Sequence, residues 1–311
     1  MNGAMAHDHH HHGHHHHEPP ADAGRAFAIA AALNIAFVGF EAISGLVTGS
    51  LALLADAGHN LSDVLGLLLA WGAAAMARRA PTDRRTYGLG KSTILASVAN
   101  SGLLLVAIGA IAWEAVRRFG QPHEIATQPV MVVAAVGVVL NTVTALMFAR
   151  SRKEDLNARG AFLHMAADAA ISAGVVIAAL AIGITRQLWI DPLVSLVIVA
   201  VILAGTWDLL KESLNLAMDA APKGIDPAAV RGWLEDLPGV TEVHDLHIWA
   251  LSTTDSAMTA HLVRPTPGDP DAFLHETCEG LSHRFGIGHA TLQVEAGDPA
   301  HPCTLASSEV V

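Results

Sequence analysis

Six blocks of mostly apolar residues, each near the length needed to cross a bilayer as a helix, constrain this chain more than any other feature. They run Arg25–Thr48, Leu51–Ala77, Ser92–Val116, Val130–Ala149, Phe162–Ile184 and Pro192–Leu210. A hydrocarbon core about 30 Å thick takes about 20 such residues. Backbone polar groups inside it must be satisfied within the segment, so a helix is the expected form. Charged residues make up only 15% of the 311, against about a quarter in soluble domains, and the mean hydropathy is +0.41.

Lys and Arg set the expected orientation. The loop after the second block carries Arg78, Arg79, Arg84, Arg85 and Lys91, and the loop after the fourth carries Arg150, Arg152, Lys153 and Arg159. The opposite-side loops carry only Arg117, Arg118 and Arg186. The basic side is expected in the cytoplasm, with both termini on it. No basic segment precedes a short apolar one at the start, so a cleaved signal peptide is not expected. The formal charge of −11 argues against nucleic acid as a partner. Two cysteines, Cys278 and Cys303, are too few for a disulfide framework.

Four boundaries follow from composition. Residues 1–24 form a His-rich cytoplasmic tail, 25–218 a six-helix transmembrane domain, 219–298 a cytoplasmic domain and 299–311 a flexible C-terminal tail. In the third segment, Asp226-Pro227 and Asp269-Pro270 read as helix starts. Residues 242–251, 256–264 and 289–297 read as strands. The order αββαβ predicts a small, ferredoxin-like α+β domain with its helices on one sheet face.

Polar residues inside the apolar blocks carry the chemistry. His59 and Asp63 stand four residues apart in the second block, and His164 and Asp168 repeat the spacing in the fifth. Residues i and i+4 share a helix face. The two blocks run in opposite directions, so two imidazoles and two carboxylates can converge. Four nitrogen and oxygen donors suit tetrahedral Zn²⁺; without a thiolate the set disfavours Cu(I), and it has too few oxygens for Ca²⁺. A lone intramembrane His or Asp also serves as a helix–helix hydrogen-bond partner. Two pairs at one spacing are hard to assign to packing, because each buried charge is costly. Asp56 shares the face of His59 and reads either as a residue for ion exit or local hydration on the outer side or as a helix-start cap. Glu41, Asn34 and Asn141 read as interhelical hydrogen-bonding residues, with Glu41 required to be protonated, paired or hydrated.

The stretches "GSLALLADAGHNLSDVLGLLLAW" (49–71) and "ARGAFLHMAADAAISAGVVIAAL" (158–180) resemble the cation diffusion facilitator family of divalent-metal/proton antiporters. "TYGLGKSTILASVANSGLLL" (86–105), "WEAVRRF" (113–119) and "VTEVHDLHIWAL" (240–251) follow the same family in order, and the resemblance covers residues 25 to 298. It implies a homodimer of six-helix protomers in a membrane, for this chain a bacterial inner membrane, with a cytoplasmic domain. It places His59, Asp63, His164 and Asp168 on the transport-site positions and is nearest the zinc-preferring branch. Metal binding needs neutral imidazole and ionised carboxylate, so it expels protons. A site that alternates between a proton-poor and a proton-rich side would then exchange metal for protons.

The resemblance also implies cytoplasmic metal ligands at His244, His261 and Glu295. Strand alternation puts His247 on the face opposite His244, where it reads as a packed or capping histidine. "LQVEA" (292–296) departs from the family's histidine-glutamine-aspartate run, and "TDRRTYGLG" (82–90) lacks the histidines of members with a further site there. No site is expected in that loop. His9, His10, His11, His12, His14, His15, His16 and His17 form a low-affinity chelating tract. Its interruptions at Asp8 and Gly13 favour a natural segment over an added tag. His301 and Cys303 read either as donors or as plain tail. Zinc export driven by protons is the leading expectation. An intramembrane zinc metalloenzyme is disfavoured, since no His-Glu-x-x-His helix is present. A non-transporting metal sensor is the other alternative.

Overall fold

A computed structural model describes residues 21–121, 123–149, 156–266 and 268–306. The His-rich tract therefore lies outside the described residues. Six long helices come first: α1 Ala21–Thr48, α2 Leu51–Ala77, α3 Ser92–Gly120, α4 Thr127–Phe148, α5 Leu156–Thr185 and α6 Ile190–Ala217. Among the described residues five are long and apolar enough to cross a membrane, and the Ile35–Thr48 part of α1 is a shorter apolar stretch. Large side chains such as Trp71, Val106, Trp113, Val132, Val201 and Trp207 stand exposed around the bundle. Such a surface is stable only against lipid, and the protein is a multi-pass membrane protein.

Small and branched residues bring the helices together. Leu53, Ala55, Ile108, Ala134, Val175, Ala179 and Ile198 form the buried centre of the bundle. α4 packs mainly on α5, and α3 lies against both α2 and α6. Between α1 and α2 the chain reverses in two residues. Gly49 takes φ +74° there, a conformation that glycine adopts without penalty. Ser50 caps α2 by accepting from Leu53 N at 3.2 Å.

The soluble domain follows at the end of the bundle that carries the 78–91 loop. It holds α7 Pro227–Glu235, β1 Glu242–Ala250, β2 Ser256–Val263, α8 Pro270–Phe285 and β3 His289–Glu295. Both short helices begin as the sequence predicts, with Asp226 and Asp269 accepting backbone N–H bonds ahead of a proline. The strand order is β1-β2-β3, with β1/β2 antiparallel and β2/β3 parallel. Leu234, Met258, Leu262, Leu281 and Ile287 fill the core between the sheet and its helices. The opposite sheet face carries His244, His261 and Gln293, which are cross-strand neighbours, and Thr259 two residues from His261 on β2.

Lys91 at the start of α3 pairs with Asp219 beyond α6 at 2.5 Å, and Thr253 N donates to Thr93 Oγ1 at 3.0 Å. These contacts fix the sheet domain directly beneath the loop end of the bundle.

Candidate metal centre

α2 and α5 run antiparallel, and each offers one His-x-x-x-Asp face to the other. His59 Nε2 lies 3.7 Å from Asp63 Oδ2 and 3.3 Å from Asp168 Oδ1. His164 Nε2 lies 3.3 Å from Asp63 Oδ2 and 3.6 Å from Asp168 Oδ2. One ligand atom from each of the four residues lies within 4.8 Å of the others. Donors held about 2.0–2.2 Å from a tetrahedral zinc ion stand roughly 3.4 Å apart. The four N–O distances, which reach Asp168 through either of its oxygens, are close to the donor spacing around that ion.

The four candidate ligands differ in exposure. His164 and Asp63 are 44% and 39% exposed, whereas His59 and Asp168 are 17% and 2%. On both helices the exposed ligand is the one nearer the 78–91 loop and the soluble domain. Toward the Gly49–Ser50 turn the way is closed by Glu41 and Asp56, both wholly buried. The sequence places Asp56 as a hydration point or a helix cap. In the structure Ser50 and Asp191 cap α2, while Asp56 accepts from Ser172 Oγ at 2.7 Å. Glu41 is paired, as the sequence requires, by an Asn60 Nδ2 bond of 3.2 Å.

A second group of donors forms on the open face of the sheet. His261 Nδ1 meets Glu295 Oε1 at 2.8 Å, and His244 Nε2 lies 3.6 Å from Glu295 Oε2. Cys303 Sγ comes within 3.4 Å of His261 Nδ1. His244, His261, Glu295 and Cys303 each offer an atom within 4.8 Å of the rest. Residues 298–303 line a cleft over these side chains, so the tail supplies the thiol. His301 lines the cleft without joining the four donors. Both ring nitrogens of His244 are buried without a hydrogen-bond partner. Two imidazoles, a carboxylate and a thiol with an unsatisfied buried histidine fit a tetrahedral zinc ion. Partial burial pushes the Glu295 carboxyl up, but Cys303, His244 and His261 outweigh it and hold it below the usual carboxylate range.

The expected alternation of His244 and His247 does not hold. Asp245 has φ +49°, and the register slips so that His244 faces His261 while His247 faces Thr259. Three residues of β1 therefore oppose two of β2, a bulge that returns His247 to the face of His244. His247 still stays outside the donor group, bound to Asp245 Oδ1 at 2.9 Å. The same carboxylate lies 3.5 Å from His261 Nε2. Asp245 is the residue that the sequence reading missed. An aspartate amid strand residues is the signal for it, since Asp is disfavoured there except where the backbone turns.

Residues 27–216 match the cation efflux transmembrane domain, and 222–297 match the cation efflux protein cytoplasmic domain. The chain belongs to the cation diffusion facilitator family. Metal cation efflux system protein CzcD of Cupriavidus metallidurans is 35% identical, over 99% of this chain and 93% of that protein. Zinc transporter ZitB of Escherichia coli is 36% identical, over 96% and 94%. The cadmium, cobalt and zinc/H(+)-K(+) antiporter of Bacillus subtilis is 34% identical, over 82% and 83%. The family consists of transporters, and the metalloenzyme alternative falls with that membership.

Proposed function

We propose that this cation diffusion facilitator exports divalent metal ions, zinc foremost, from the cytoplasm in exchange for protons. The observation that carries the reading is the convergence of His59, Asp63, His164 and Asp168 into a cage with edges of 3.3–3.7 Å. Two nitrogens and two oxygens at that spacing match zinc better than larger or softer ions. The zinc and antiporter names of the relatives support the same substrate and coupling.

The basic loops put the soluble domain and both termini in the cytoplasm, here of a bacterium with the bundle in its inner membrane. On that orientation the cage opens inward, with His164 and Asp63 on the entry side. Entering metal displaces protons from the four side chains, leaving neutral imidazoles and ionised carboxylates as ligands. Rocking of α2 and α5 against the other helices then closes the inner side and opens the outer one. Protons from the outer side reload the ligands and eject the metal. The chain acts as a homodimer, divided into the bundle at 25–218 and the cytoplasmic domain at 219–298. His244, His261, Glu295 and Cys303 would hold a resident zinc ion, which supplies charge neutralisation and a tie between sheet and tail. The His-rich tract gathers metal near the inner mouth.

Flux into proteoliposomes, measured for zinc, cadmium, cobalt and nickel with and without a pH gradient, tests the reading. Zinc flux should rise with the gradient. His59→Ala and Asp168→Ala should each lower it by about 100-fold or more, at or above the top of the range for losing a mere supporting residue. Normal transport by both variants would overturn the ligand assignment, and zinc binding without flux would favour a sensor.

A further inference from the structure

Glu41 on α1 and Asp56 on α2 are completely buried on the closed side of the metal cage. Their carboxyl groups are held side by side by one shared amide donor, Asn60. Asn60 Nδ2 donates to Glu41 Oε2 at 3.2 Å and reaches Asp56 Oδ1 at 3.5 Å. Ser172 Oγ donates to Asp56 Oδ2 at 2.7 Å. Glu41 Oε1, fully buried, has no donor among the described residues. A buried carboxylate oxygen without a donor is a costly defect, and it is removed if a proton sits between the two groups.

The charged surroundings do not remove the need for that proton. The titratable groups facing the pair are His59 on α2 and Asp168 on α5. α4, which packs on α1, carries no titratable side chain. On α3 and α6, Arg118 and Asp191 are engaged at the Gly49–Ser50 turn. Asp208, Lys211 and Glu212 lie toward the opposite end of α6. Two neighbouring carboxyls wholly buried, with one shared amide and one hydroxyl as donors, do not both ionise.

We propose that the Glu41–Asp56 pair is a proton site separate from the metal ligands and carries one of the protons exchanged for each metal ion. The idea rests on the antiport reading above and adds a residue pair to it. Asp56 is one turn from His59, and Ser172 is one turn from Asp168, so both ends of the pair's hydrogen-bond chain adjoin the cage. A divalent cation entering the cage favours the ionised pair through the dry interior. The shared O–H bond then breaks, and its proton passes by way of the Ser172 hydroxyl toward the inward-open cage and the cytoplasm. When the metal leaves on the outer side, the pair takes a proton from that side and the O–H bond re-forms. No electron changes hands.

The test counts protons moved per zinc ion in proteoliposomes of the full chain, using a trapped pH dye and a zinc dye together. Glu41→Gln and Asp56→Asn should each lower the ratio by one proton, and Glu41→Asp, which keeps a carboxyl, should restore it. Unchanged ratios in both amide variants overturn the pair while leaving antiport standing. Zinc flux without any proton movement in the wild type overturns antiport and the pair together. Infrared difference spectra of the wild type give a reading independent of variant folding. Zinc should bleach the carbonyl band of a protonated carboxyl, and a spectrum without that loss overturns the proposal.

Discussion

Asp245 shows how one residue can shape a candidate metal site it does not enter. Its φ of +49° makes the bulge, and its carboxylate joins His247 and approaches His261 Nε2. That contact orients His261 so that Nδ1 points at Glu295 and Cys303. Carboxylates behind a ligating histidine typically contribute 10–100-fold to metal affinity. Asp245→Ala should therefore weaken zinc binding at the cytoplasmic site by about 10–100-fold, as read by competition with a chelating dye, with the intramembrane ligands unaffected. At this scale the sequence was most legible where a residue type was out of place. His59, Asp63, His164 and Asp168 stand out because apolar helices rarely carry them. Cys303 stays undecided between donor and plain tail, because a lone tail cysteine carries no spacing signal. Only the return of residues 298–303 over the sheet puts its sulfur near His261.

Helices and strands were legible to different degrees. The apolar blocks and the Asp-Pro starts are local signals, and the structure follows them. Strand alternation failed at 244–247, because a bulge depends on the partner strand as well as on the residue. Contacts between helices were invisible in the same way. Asp191 begins α6, yet its carboxylate accepts from Ser50 Oγ at 2.7 Å, Leu51 N at 2.8 Å and Ala52 N at 3.3 Å. One helix thus satisfies the orphan N–H groups of another. Asp191→Ala strands those buried donors at about 1–3 kcal/mol each. The variant should unfold in detergent well below the wild-type temperature, whereas Asp191→Asn, which keeps an acceptor oxygen, should lose less.

The whole molecule joins a lipid-facing bundle to a water-facing sheet through a narrow junction. A Cβ on Gly90 would stand 2.6 Å from the Leu251 carbonyl oxygen, so the 82–90 loop and the β1–β2 turn touch backbone to backbone. Tyr87 adds an edge contact with His289 at 5.4 Å. Gly90→Val should push the two parts apart, seen as faster hydrogen exchange across residues 251–255, with zinc binding at the intramembrane cage retained. What the sequence settled by itself is whatever a single segment can enforce. A run of apolar residues must be helical in lipid, and a His-x-x-x-Asp repeat must share a face. The tertiary structure alone decided which segments meet: the four-donor cage, the sealed Glu41–Asp56 pair, the Asp191 cap and the folded-back cysteine. Each depends on contacts between residues far apart in the chain, whose spacing is set by how helices and strands pack and leaves no periodic trace in the sequence.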